Sequence, residues 1–252
     1  MKILFVLLIL LFQSTFIHTQ SYSVYGFGDS HLLFSLSVQQ RYFGHVYNQP
    51  TPAITRTVSN GDKLMLYLQW MGPKTLHGIN KIGFHSITNY ELAQTMDALL
   101  FSFGEIDVRC HIEKQSLKQN RSIDDILEEL TNNTMLNLIN LRTALSPYKG
   151  PFLIFSILPP VENPTGDSAC FPRHGTLETR VYITRQMNSL LRQKAALHNQ
   201  YNIHILDLHA LFTQENGTLK TEISDNLHHL HPHHNQPVID ELYTLLQKIL
   251  SY

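Results

Sequence analysis

The sequence predicts an α/β fold: a single doubly wound, mainly parallel sheet of five strands with helices on both faces. Three observations point there. Apolar runs at residues 64–70 and 152–158 have the length and continuity of buried strands, and residues 98–103 and 203–208 read as further strands. They alternate with longer segments whose apolar residues recur at helical spacing, the pattern of repeated βαβ units. Gly72-Pro73, Gly104 and Pro159-Pro160 stop three of the runs abruptly, as strand ends require.

The elements follow in order. A first strand over residues 22–27 ends in Gly28-Asp29-Ser30, and a helix over 31–40 places Leu32, Leu33, Leu36 and Gln40 around one face. Residues 48–62 read as a turn-rich loop, punctuated by Pro50, Pro52 and Asn60-Gly61. After the 64–70 strand, Pro73 is suited to the first turn of a helix. The 98–103 strand leads into Gly104-Glu105-Ile106-Asp107. A long helix then starts at Ser122, where Ser122-x-x-Asp125 resembles a capping box, and carries Ile123, Ile126, Leu127, Leu130, Leu138, Leu141 and Leu145 before Pro147. The 152–158 strand is followed by a loop through Pro164, Gly166, Pro172 and Gly175, a helix over 177–198 and the 203–208 strand. Val238, Leu242, Leu245 and Ile249 mark an amphipathic C-terminal helix. The chain has no internal repeat, and its size and element order are flavodoxin-like.

Composition bounds the function. With 252 residues, 43% hydrophobic and 15% charged, the chain builds a full core of its own. A net charge of −1 gives no electrostatic reason to expect nucleic acid or an acidic membrane, so a small, largely neutral molecule is the expected partner. Met1-Lys2 and the apolar run 3–12 have the form of a secretory signal peptide, with cleavage near Thr19-Gln20-Ser21. Residues 1–21 are therefore expected to be a leader and 22–252 the domain. The apolar stretch to residue 17 is interrupted by Gln13 and is shorter than the ~20 residues that span a bilayer. The mature chain is expected to be free of the membrane and secreted, periplasmic or extracellular. Cys110 and Cys170 are the only cysteines. If paired, they would close a loop of about 60 residues and contribute on the order of 4 kcal/mol. Asn120, Asn132 and Asn216 stand in glycosylation sequons, relevant only in a host that glycosylates.

In a sheet of this kind ligands bind beyond the carboxyl ends of the strands. Gly28-Asp29-Ser30, Gly72, Gly104 to Asp107 and the loop after Pro160 all fall on that rim. A serine in a tight strand-end turn becomes a nucleophile when a histidine takes its proton and an acid orients the histidine. The segment 224–234 is the richest source of both, and Asp225-x-x-His228 brings an acid and a base from one turn. Asp29 is better suited to fixing its own turn than to catalysis.

Taken together, Gly28-Asp29-Ser30, the glycine after the second predicted strand, Gly104-x-x-Asp107 and Asp225-x-x-His228 resemble the four blocks of the SGNH, or GDSL-type, hydrolases. The resemblance spans nearly the whole mature chain in block order. It implies the SGNH hydrolase fold and a serine esterase acting through an acyl-enzyme, with Ser30 as nucleophile, His228 as general base and Asp225 holding His228. The oxyanion donors would be the backbone N–H groups of Ser30 and Gly72, with Gly78 as the alternative to Gly72. The third block departs from the family, which usually has Gly-x-Asn-Asp; here Ile106 stands in the asparagine's place and cannot donate a hydrogen bond. Losing one such donor typically costs about 2.7–4 kcal/mol of transition-state stabilisation. Arg109 and His111 are the nearby replacements, with Arg109 preferred and an Arg109 ion pair to Glu105 or Asp107 as the competing expectation. The wording of the third block places the chain near a subgroup of SGNH-like proteins.

The substrate expected from this resemblance is a small-molecule, glycan or lipid ester, with O-acetyl and other short acyl groups foremost. Transfer of an acyl group to a glycan uses the same triad, and an inactive glycan- or ligand-binding module fits the missing asparagine. His228, His229, His231, His233 and His234 offer imidazoles to a metal, but no cysteine or paired carboxylate accompanies them. No metal and no cofactor are expected, and the sequence sets no oligomeric state.

Overall fold

The computed structural model describes residues 20–36, 49–166 and 171–251. The expected leader, the predicted helix beyond residue 36 and Cys170 lie outside the described residues. Six strands form one sheet: β1 (Ser21–Gly28), β2 (Ile54–Thr57), β3 (Lys63–Trp70), β4 (Ala98–Ser102), β5 (Phe152–Phe155) and β6 (Ile203–Leu206), in the order β2-β3-β1-β4-β5-β6. Five of the six, β3-β1-β4-β5-β6, pair in parallel, as predicted, and β2 adds an antiparallel edge to β3. That sixth strand corrects the expectation of an open loop over residues 48–62. The flanking proline and Asn-Gly signals concealed a short β-branched stretch, whose Arg56 is buried and donates to the Leu36 carbonyl at 2.8 Å and to Asn235 Oδ1 at 2.9 Å.

The helices are α1 (Ser30–Leu36), α2 (Leu76–Ile82), α3 (Tyr90–Gln94), α4 (Ile112–Gln119), α5 (Ile123–Ala144), α6 (Leu177–Leu197), α7 (His209–Phe212) and α8 (Gln236–Leu250). Ser122 caps α5 by accepting from the Asp125 amide at 3.0 Å, a contact typically worth about 1 kcal/mol. At the second block, α2 begins three residues later than Pro73 suggested, because Thr75 is its N-cap and accepts from the Gly78 amide at 2.9 Å. Among the described residues, no helix is long and apolar enough to cross a membrane.

Alternation along the strands divides the core into two layers. Tyr25, Phe27, Leu99, Phe101, Phe152 and Ile154 pack with α2, α5 and α6 on one face. Val24, Leu66, Leu68, Leu100, Leu153 and Phe155 pack with α1 and α8 on the other. β3 is less enclosed than its apolar sequence suggests, since Met65 stays 37% exposed near the sheet edge.

β1 is the hinge of the topology: its neighbours β3 and β4 are reached by crossovers on opposite faces, and its carboxyl end opens at the switch point. Gly28 is required there. A Cβ on it would lie 2.4 Å from the Ser102 carbonyl oxygen of β4, and the next amide, Asp29 N–H, donates to that oxygen at 3.1 Å. Gly28→Ala is accordingly expected to force β1 and β4 apart and to cost about 1–3 kcal/mol. The check is thermal unfolding, in which an unchanged midpoint would contradict the close approach.

Candidate functional site

The turn between β1 and α1 is fixed by its own side chain. Asp29 is buried, and its Oδ1 accepts from the His31 amide at 2.9 Å, which leaves Ser30 as the first residue of α1, half-buried at the sheet's rim. Burial raises the Asp29 carboxyl to about 6, with the positive neighbour His31 opposing that rise.

The second part of the site is the loop before α8. Asp225 Oδ1 accepts from the amides of Leu227, His228 and His229 at 2.8, 3.0 and 2.9 Å. Asn226 adopts the left-handed conformation, with φ of 61°, that such a tight turn demands. The turn closes by the Asp225 amide donating to the His229 carbonyl at 3.0 Å and by a bridge between Ser224 and Leu230. Residues 225 and 229 thus face each other across the turn. His229 Nδ1 lies 2.8 Å from Asp225 Oδ2, and His229 Nε2 lies 2.8 Å from Ser30 Oγ.

The histidine between serine and aspartate is therefore His229. This corrects the assignment of His228, which rested on the three-residue spacing of the family block. Here the left-handed Asn226 and the convergence of amides on Asp225 extend the turn by one residue. In the sequence, the signal that could have raised this alternative is the adjacency of His229 to His228. Phe34 of α1 stacks on the His229 ring at 4.1 Å between centroids, and the His228 ring packs beside it at 3.9 Å.

The electrostatics separate the groups. Burial would raise Asp225, but its bonds from His229 and from the backbone outweigh that and hold it down at about 2, fully ionised at neutral pH. Burial lowers His229, and the Asp225 contact only partly compensates, so the ring is neutral at pH 7. His228 is pushed down to about 3, first by burial and then by His229.

The second and third sequence blocks meet beside the turn bearing Ser30. Gly72 follows β3 with φ of 72°, beside Met71, whose amide donates to the Gly28 carbonyl at 2.8 Å and ties this turn to the one bearing Ser30. The Gly78 amide is taken by Thr75 as the cap of α2, which removes Gly78 as the alternative. Ile106 is buried in the core at 4% exposure. Asp107 opens a π-helical turn (Asp107–His111), and its carboxylate accepts from the Leu76 and His77 amides at 2.6 and 3.2 Å, fastening the second block to the third. Burial raises Asp107 to about 7 against those two bonds. Arg109, also buried, donates to Glu105 from Nε at 2.6 Å and to the Phe171 carbonyl at 2.8 Å. The structure thus gives Arg109 the ion pair with Glu105 and not the place of the absent asparagine. His111 lines a different cavity, of about 470 Å³, between α2, α4 and α5, which none of Ser30, Asp225 and His229 lines. A much smaller cleft, of about 20 Å³, is lined by Leu158, Pro160, Val161, Leu227 and His228 among others, and by none of Ser30, Asp225 and His229.

Among the described residues, one group of side chains brings metal-capable atoms together: His31, His228 and His229 lie within 4.8 Å of one another. The donor set is poorly suited to a cation. His229 Nε2 is engaged by Ser30, and Glu105 and Asp29 favour a proton on His31. Cys110 is buried with its sulfur 3.3 Å from the Phe171 carbonyl.

No family model matches the chain, and no curated protein matches its sequence. Solved structures do match in fold. One is a protein from Streptococcus pneumonia described provisionally as a platelet activating factor, at 16% identity and a TM-score of 0.55, over 92% of this chain and 86% of that one. Another is a catalytic mutant of an acetylxylan esterase from Geobacillus stearothermophilus, at 11% identity and a TM-score of 0.50, over 89% and 93%. The α/β architecture predicted from the sequence is shared with these proteins across most of both chains.

Proposed function

We propose that the chain is a secreted serine esterase of SGNH type, cleaving short-chain carboxylic esters, including O-acetyl esters on glycans or lipids. The observation that carries the reading is the pair of 2.8 Å contacts linking Ser30, His229 and Asp225. Ser30 Oγ attacks the ester carbonyl while His229 Nε2 takes its proton. The negative oxygen that forms is met by the N–H groups of Ser30 and Gly72. His229 then gives its proton to the departing alkoxide, leaving an acyl group on Ser30. Water, deprotonated in turn by His229, releases the acid and restores the serine. Asp225 keeps Nδ1 protonated throughout, so that Nε2 is the nitrogen that takes up and returns the proton.

The preference for a short acyl group, O-acetyl foremost, comes from the resemblance of the four sequence blocks. The likeness in fold to an acetylxylan esterase agrees with that class. Ile106 favours a second reading, an inactive ligand-binding module, because it leaves the oxyanion with one donor fewer than the family uses. Turnover of p-nitrophenyl acetate, with the released acid quantified, separates the two. Stoichiometric free acetate is expected, and folded protein that releases none would favour the binding module. Acetate appearing only on an added sugar would indicate a transferase.

A further inference from the structure

Behind the nucleophile lies a buried ionic network to which this mechanism gives no role. His31, the residue after Ser30, is only 5% exposed. Its Nε2 stands 3.4 Å from Glu105 Oε2, long for a hydrogen bond, so the attraction is mainly of charge for charge. Glu105 is itself held by Arg109 at 2.6 Å, and Arg109 is anchored on the Phe171 carbonyl. The His31 ring lies 4.7 Å from the His229 ring, centroid to centroid, and 5.8 Å from that of His228.

We propose that Glu105 keeps His31 as a buried imidazolium against His229, and that this cation holds the base in its proton-accepting form in mildly acidic medium. The inference rests on His229 being the base of an ester hydrolase. The third block then contributes charge in place of a donor, and His31 and Glu105 are positioning residues that act through His229.

The charges around each ring support this. His31 is faced by Glu105 and Arg109 from the turn after β4, by Asp29 ahead of α1, and by His228 and His229 from the loop before α8. Burial alone would strip the proton from His31, but the two carboxylates outweigh burial and Arg109, so its affinity for a proton is raised. His229 is faced by Asp225 and His228 in its own loop, by Ser30 and His31 from α1, and by Glu105 at longer range. Burial and then the cation on His31 lower its proton affinity, against the pull of Asp225 and Glu105. A general base works only when unprotonated, so this lowering extends activity towards acid.

His31→Gln removes the cation and leaves Glu105 paired with Arg109. The acid limb of the kcat/KM profile is expected to move up by about one pH unit. A loss of equal size at every pH, with the limb unmoved, would overturn the proposal. An NMR titration of the His31 ring is independent of turnover. In the unmodified protein it should titrate above the ordinary histidine value of about 6.5, and in Glu105→Gln at lower pH. A His31 that titrates at or below the ordinary value would overturn the proposal even if esters are hydrolysed. A His31 that titrates above the ordinary value, in a protein without esterase activity, would instead locate the failure in the proposed function.

Discussion

Replacing His229 by alanine is expected to lower kcat/KM for a short-chain ester by on the order of 10⁴–10⁶, while His228→Ala keeps activity within about tenfold. The contrast is large because the two rings, though adjacent in sequence, occupy different places. His229 alone bridges Ser30 Oγ and Asp225 Oδ2 at 2.8 Å on each side. Without it Ser30 has no acceptor for its proton, and what remains is ground-state binding and the oxyanion donors. His228 touches the triad through ring packing, and its depressed proton affinity makes it a poor acceptor near neutral pH. Steady-state kinetics on both variants decide the matter, and a larger loss in His228→Ala than in His229→Ala would reverse the assignment.

Asp225→Asn is expected to cost on the order of 10⁴ in kcat with little change in fold. The asparagine oxygen can go on accepting the amides of Leu227, His228 and His229, so the loop keeps its shape. Its NH₂ group then faces His229 Nδ1 and forces that nitrogen to accept. The ring proton moves to Nε2, where it blocks transfer from Ser30. Kinetics and thermal unfolding measured together test this: activity within about tenfold of the unmodified protein, at an unchanged midpoint, would remove Asp225 from the mechanism.

Much of the architecture was legible because the parallel strands are short, most of them apolar and ended by glycine or proline, and because Ser122 and the leucines of α5 spell out a capped amphipathic helix. β2 was not legible, since it is a four-residue edge strand with only one buried side chain, Arg56, set between turn signals. At the site, position singled out Ser30 and Asp225, and both contact His229 at 2.8 Å in the structure. His229 escaped because spacing along a chain does not report how many residues a turn consumes; the left-handed Asn226 decides that. Arg109 could not be resolved by sequence either. Asp107 is nearer in the chain than Glu105, and only the π-helical turn aims Asp107 at α2 and leaves Glu105 to Arg109. The link from Glu105 to His31 joins residues 74 positions apart and has no local signature.

The central claim is that Ser30 is an activated nucleophile. The most direct measurement is peptide mapping after treatment of the folded protein with a fluorophosphonate, which bonds covalently to serines activated by a neighbouring base. The account predicts a stoichiometric adduct on the peptide bearing Ser30, absent from Ser30→Ala and strongly reduced in His229→Ala. Folded protein that takes up no label, or takes it up on a different serine, would contradict it.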